Sequence, residues 1–289
     1  RFDLLLLHNP DAVGYHSDVV WDALKGLKSS GKTDMLGIAP GPANGFTVDV
    51  IDCFERHGDH IDWAMIILNP LEPWPGGLVL DAAEKHAVKV IARVVDYGGI
   101  FHDDLAPGTS LPRSDHRAFR PAGWIEAAHE KLPRFREIAE GHGHTLLQFA
   151  CKWDLAQPAV ESVAPTLLQE GGPNPKPVED QVIELSQVAD KEDLTETESE
   201  EVRAIGDNKN CMSLKGASTQ YLGQPVGDQW QMTPELLEVG RKWGIEPDRD
   251  LYYASDLRDI REKGAPWNGV PQTSIRRLYL QLQVFTGCR

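Results

Sequence analysis

Asp3-Leu4-Leu5-Leu6-Leu7-His8-Asn9-Pro10 is the stretch that decides the fold. An unbroken apolar run of this length, bounded by polar residues, reads as a strand buried on both faces, as in a parallel sheet. The strand ends in a histidine, and parallel α/β folds carry their reactive groups at the C-terminal ends of strands. Flanking leucines would desolvate the His8 imidazole and favour its neutral form, a good hydrogen-bond donor to a substrate carbonyl oxygen. The bland reading is a strand-end histidine satisfied by a loop. The sequence opens at Arg1, with no initiator Met, signal peptide or capping turn before the strand, which predicts a piece of a longer protein.

Working outward, short apolar runs alternate with amphipathic stretches. Strands are expected at 4–7, 34–38, 63–68, 88–92 and 162–164. Helices are expected at 19–30, 48–57, 78–86, 132–141 paired with 145–156, and 177–188. Apolar Val20, Leu24 and Leu27 recur at helical spacing, and Gly31 is a stop signal. Five strands, each followed by helix, are the βα alternation of an α/β fold. Eight would close a TIM (β/α)8 barrel, so the expectation is a partial barrel, strands 4–8 with their helices, with three βα units upstream of Arg1. A doubly wound open sheet shares the alternation, but no turn here resembles the GxGxxG fingerprint.

The expected domains are barrel at 1–190, a helical and loop extension at 191–255, a charged linker at 256–273, and a strand at 274–289 that could open a second domain. In the extension, 191–205 reads as an acidic helix capped by Thr195, and 225–250 contains a short helix. The tail turns β-like, with Leu278, Leu280, Leu282 and Val284 alternating with polar residues.

The 289 residues are 41% hydrophobic, enough for a sizeable core. A net charge of −15 argues against a nucleic-acid or anionic-membrane surface, which would repel it. No apolar run approaches the roughly 20 residues of a membrane span. Cys53, Cys151, Cys211 and Cys288 lack CxxC spacing, so neither a zinc cage nor a disulfide framework is suggested, and a reducing cytoplasm is the default.

Several segments, in order, resemble one family. Asp3 to Pro10 is similar to the strand of aldo/keto reductases that ends in His. Trp21-Asp22-Ala23-Leu24-Lys25-Gly26-Leu27-Lys28-Ser29-Ser30-Gly31-Lys32 resembles that family's next helix, and Met35-Leu36-Gly37-Ile38 its next strand. Leu68-Asn69-Pro70-Leu71, then Ala83 to Arg93, then Ile138-Ala139-Glu140 with Leu147 to Pro158, continue the resemblance over about two-thirds of the chain. The resemblance implies an NAD(P)H-dependent oxidoreductase that reduces an aldehyde, ketone or sugar carbonyl. His8 would orient the carbonyl. The family's Tyr general acid, with its Lys and Asp, would precede Arg1, so this chain alone is expected to be inactive. The alternative is a reductase-like barrel serving as a non-catalytic binding or regulatory module.

The resemblance also points to cofactor-binding positions, for NADP or NAD. Ala39 and Pro40 stand where the family has a polar pair holding the nicotinamide amide. Asn44 is a substitute if the loop folds back; a turn-forming Asn44-Gly45 is the structural reading. Met65 or a neighbour stands where the family has Gln. Arg93, with Gly98 and Gly99, matches the loop that wraps the pyrophosphate, where backbone donors suit phosphate; a tight left-handed turn is the alternative. After the last strand come Thr166 and, further on, Lys176, the sole nearby base in a segment where Glu170 is acidic. These residues leave NADP and NAD equally open.

His57/His60 and His142/His144 have spacing compatible with metal ligands, but solvated loop histidines are the simpler reading and no metal is expected. Asn208, Cys211 and Lys215 are candidates to line a substrate pocket, against a structural C-terminal wrap. Trp153 and Phe149 read as core. Residues 276–288 resemble the opening strand of chlorite-dismutase-like domains, which would fuse a haem-binding domain downstream; the alternative is a strand packing on the barrel. The implied partner is a small-molecule carbonyl substrate.

Overall fold

The computed structural model describes residues 1–41, 46–111, 115, 117, 120, 123–167, 176–208 and 232–251, and the backbone of 282–285. The contacts divide the chain into two compact units, Arg1–Ala64 with Trp230–Arg289, and Met65–Gln229. Each is an α/β assembly.

In the first unit, β1 (Phe2–His8) runs parallel to β2 (Thr33–Ala39), with Leu4 opposite Met35 and His8 opposite Ala39. The start of β3 (Trp63–Ile67) pairs in parallel with β2 at Gly37 and Ile38. Gly37 is dictated by this contact: a Cβ there would lie 2.2 Å from the Trp63 carbonyl oxygen and 2.5 Å from Leu6 Cδ2. The apolar run of β1 is buried at Leu4, Leu5, Leu6 and Leu7, as a two-sided strand must be. β6 (Leu282–Phe285) adds an antiparallel neighbour to β1, with Leu4 opposite Phe285.

The helices follow from local signals. α1 (Ala12–His16) is capped by Asp11, whose side chain accepts from Gly14 N, and α2 (Asp18–Ser29) by Ser17. α1 has only five residues, too short for a periodic pattern, and the sequence did not reveal it. α3 (Thr47–His57) is buried along most of its length. α9 (Pro234–Lys242) packs on α3, where a Cβ added at Gly240 would come 4.0 Å from Val48 Cγ2, and Trp243 donates to Glu55 at 2.9 Å. A short α10 (Pro247–Asp250) follows.

The second unit takes the rest of β3, then α4 (Leu80–Lys85) and β4 (Lys89–Arg93), which pairs in parallel with β5 (Val160–Ala164). Between them lie α5 (Trp124–Gly141) and α6 (Leu146–Leu155). A helix start near residue 132 is what Pro133 suggests to local rules. The helix instead begins at Trp124 and runs through the proline, because Trp124, Ile125, Ala128 and Leu132 all bury. Phe135 and Phe149 pack ring to ring at 5.5 Å, with Phe101 at 6.3 and 6.5 Å, which makes Phe149 core as read. α7 (Val178–Ser186) and α8 (Glu196–Gly206) complete the unit, α8 opening on a Thr195–Glu198 capping box. The expected linker at 256–273 lies outside the described residues, as does most of the 276–288 resemblance.

Candidate functional site

His8 closes β1 half-buried. Asn9 then turns the chain off the strand at φ +47, its amide donating to the Ala39 carbonyl at 2.8 Å. Ala39 is 1% exposed, so it offers backbone rather than a polar side chain. Asn44 lies outside the described residues.

The same unit holds a charged cluster that sequence reasoning missed. His16 Nε2 lies 2.9 Å from Asp49 Oδ1, and its Nδ1 lies 2.8 Å from Asp52 Oδ2. Arg56 Nε donates to Asp52 at 2.6 Å. Hydrogen bonding to Asp49 and Asp52 outweighs burial and pushes the imidazole up to about 9, so His16 is a cation at neutral pH. Burial pulls the Asp52 carboxyl up, but His16 and Arg56 leave it below its ordinary value. The available signal was a pair of carboxylates spaced i, i+3 among the apolar residues Val48, Val50, Ile51 and Cys53 of the first turns of α3. His57 of the metal-spacing pair stacks on Trp21 with ring centroids 5.0 Å apart.

In the second unit Met65 is buried in β3, and Arg93 is half-buried at the end of β4. Gly98 and Gly99 take φ of +65 and +102, the left-handed turn weighed as the alternative to a phosphate cradle. Gly99 N donates to the Asp96 carbonyl at 3.1 Å and to its Oδ2 at 2.9 Å. Thr166 N donates to Asp96 Oδ1 at 3.2 Å. An incoming phosphate would therefore compete with the Asp96 carboxylate for these amides. Arg117 roofs the turn, bonding the Gly98 carbonyl at 3.0 Å and gripping Asp115 at 2.9 and 2.7 Å. Beside it Arg120 lies 4.0 Å above the Tyr97 ring and bonds both carboxylate oxygens of Glu72 at 3.0 Å.

Lys176 lines a cavity of about 580 Å³, together with His102, Arg136, His144, Thr145 and Glu184. Lys176 Nζ is 2.8 Å from Glu184 Oε2, and the Thr145 hydroxyl donates to the other Glu184 oxygen. His102 and His144 are 8% and 6% exposed. Yet His102 Nε2 makes no hydrogen bond among the described residues, and the His144 ring meets the Glu192 backbone without a well-formed bond at either nitrogen. Burial lowers the His144 pKa and keeps it neutral. Its stacking partner His142, 5.5 Å away, is 3.0 Å from both Glu198 oxygens. The two histidines with metal-ligand spacing thus divide: one ties α5 to α8, the other walls a cavity. Among the described residues no three His, Cys, Asp or Glu side chains could hold a metal ion.

Other candidates are accounted for by packing. Asn208 is 1% exposed, and its amide clips the backbone of Trp74 in both directions, at 3.1 and 2.8 Å. Cys211 and Lys215 lie outside the described residues. Burial pushes the Cys53 and Cys151 thiols up, away from nucleophilic thiolate. No helix among the described residues is long and apolar enough to cross a membrane.

Comparison with known proteins places these features. An aldo-keto reductase of Bacillus halodurans in its holo form superposes with a TM-score of 0.50 at 17% identity, over 71% of this chain and 61% of that one. The glycerol dehydrogenase of Gluconobacter oxydans superposes at 0.55 and 22% identity, over 80% of this chain and 62% of that one. The chain thus spans less than two-thirds of either structure's length, and at these identities the likeness speaks to fold. No curated protein matches the sequence. The family model for aldo/keto reductases matches residues 1–201, well over half of the chain, and the chain belongs to the aldo/keto reductase family.

Proposed function

We propose that the protein is an oxidoreductase that reduces an aldehyde, ketone or sugar carbonyl with a nicotinamide dinucleotide, and that the cavity beside Lys176 receives the adenosine end of that cofactor. The observation that carries the cofactor half is the pairing of a cavity of nucleoside-binding size with buried imidazoles in its wall whose hydrogen bonds the described residues leave incomplete. A native structure leaves few buried polar atoms unsatisfied, and a ligand is one reason to leave them so. His102, His144, Thr145 and Lys176 would hold the adenosine, and the turn at Gly98 and Gly99 with Thr166 would meet the phosphates by displacing Asp96. When bound, the cofactor supplies hydride. His8, half-buried at the strand end, would donate to the carbonyl oxygen and orient it. We further propose that the chain is strands 4–8 of the barrel, that the general acid comes from residues outside 1–289, and that this chain alone does not turn over.

One observation favours a second reading, a reductase-like barrel that binds or regulates without catalysis. Ala39 and Met65, where the family has polar side chains toward the nicotinamide, are both buried and apolar. Titrating the chain with NADH and NADPH, following nicotinamide and tryptophan fluorescence, decides between them. Saturable binding, with carbonyl-dependent oxidation once the upstream residues are supplied, supports the enzyme. A folded chain that binds neither nucleotide overturns it and leaves the module.

A further inference from the structure

We infer that the cavity selects an adenosine ribose with a free 2′-hydroxyl, so that the cofactor is NAD(H) rather than NADP(H). The inference rests on the nicotinamide reading above. A 2′-phosphate brings close to two negative charges and needs cations able to turn toward it. Among the described residues two cations line the cavity, Arg136 and Lys176, against four carboxylates, Asp103, Asp104, Glu140 and Glu184. Both cations are already engaged: Arg136 Nη2 lies 2.9 Å from Asp103, and Lys176 Nζ lies 2.8 Å from Glu184. Lys176, the base that sequence reading put forward for the phosphate, is therefore neutralised by a residue eight positions on.

Glu184 is itself fixed from two sides, by Lys176 and by the hydroxyl of the Thr145 cap. Its side chain is 10% exposed, so a phosphate placed beside it would meet a carboxylate poorly screened by water. A hydroxyl meets the opposite condition, since the carboxylate accepts its hydrogen, the arrangement by which acidic residues take a ribose in NAD sites. Among the described residues the rest of the wall adds no further carboxylate, lysine or arginine. From nearly complete burial, His102 and His144 present ring nitrogens that the described residues leave without a well-formed hydrogen bond, donors and acceptors for ribose hydroxyls or a purine edge.

The test is a side-by-side titration of the intact chain with NADH and NADPH at low ionic strength. NADH should bind at least ~10-fold more tightly, the effect of about one charge contact. Glu184→Gln, which takes the carboxylate charge from beside Lys176 while keeping the shape, should raise NADPH affinity by about the same factor and leave NADH little changed or weaker. Should Glu184→Gln disturb the α6 cap, Asp103→Asn frees Arg136 instead and should move the preference in the same direction. NADPH binding as tightly as NADH to the unaltered chain overturns the inference and leaves the nicotinamide reading standing. A preference for NADH that neither variant changes removes this cavity as its source. Binding of neither nucleotide by the folded chain overturns the inference together with the nicotinamide reading.

Discussion

His16 in the first unit and His144 in the second are both withdrawn from water, and the protein treats them in opposite ways. His16 lies between two aspartates, with Arg56 completing the charge arrangement, and its pKa rises to about 9. His144 is more deeply buried, makes no good hydrogen bond among the described residues, and its pKa falls. A buried polar group whose bonds the protein completes rigidifies the fold, whereas one left open costs stability unless something else completes it. The difference separates a clamp from a binding wall without reference to any relative. Asp154 shows the limit of the rule: it is 0% exposed with neither oxygen bonded among the described residues, and burial drives its pKa far up. It does not line the cavity, and a neutral carboxyl meets its desolvation at lower cost than a charge would.

The comparison can be broken most forcefully at the clamp. Asp49→Ala leaves the His16 cation without its fully buried partner, and should cost about 3–5 kcal/mol in urea unfolding. A loss below ~1 kcal/mol would mean that the cluster does not hold α1 to α3. The pH dependence comes next. His16 has a folded pKa above the unfolded 6.5, so its contribution is complete below about pH 6.5 and disappears as pH rises through about 9. The decline should amount to about 2 kcal/mol after solvent screening, and His16→Gln should flatten it. His144 has the opposite sign. Its folded pKa is depressed, so acidification below pH 6.5 destabilises the fold, and His144→Gln should lessen that acid-side loss.

Two smaller effects sharpen the account. Asp154→Leu replaces an unbonded carboxyl by an apolar group of similar size and should stabilise by about 1–2 kcal/mol near pH 7, read as a shift of the urea midpoint. A destabilisation would show that Asp154 has a bonding role. Thr195→Ala removes the α8 capping box and should cost about 1 kcal/mol, checked by the same unfolding curve.

Strands and long helices were legible because burial on both faces writes apolar runs, as at Leu4 to Leu7, and because caps such as Ser17, Thr145 and Thr195 are local. Elements ruled by tertiary burial were less so. Pro133 concealed the first turns of α5, and α1 was too short to show a period. Among site residues, His8 and Ala39 end β1 and β2 and Met65 lies within β3, positions legible because a strand is written locally. The glycine turn was found, but Asp96 as the acceptor from Thr166 was not, since Thr166 arrives from 70 positions away. The cavity was invisible in sequence: His102, Arg136, His144 and Glu184 become neighbours only when four segments assemble. Lys176 stood out as an isolated cation, while the Glu184 that neutralises it lay unremarked within the helix expected at 177–188.

The most direct test of the division between clamp and wall is the NMR signals of the histidine rings in the intact chain, followed as NADH is added. The account predicts that the His102 and His144 ring resonances shift and saturate together while those of His16 stay in place. Saturable binding that moves His16, or that leaves both His102 and His144 unmoved, would contradict it.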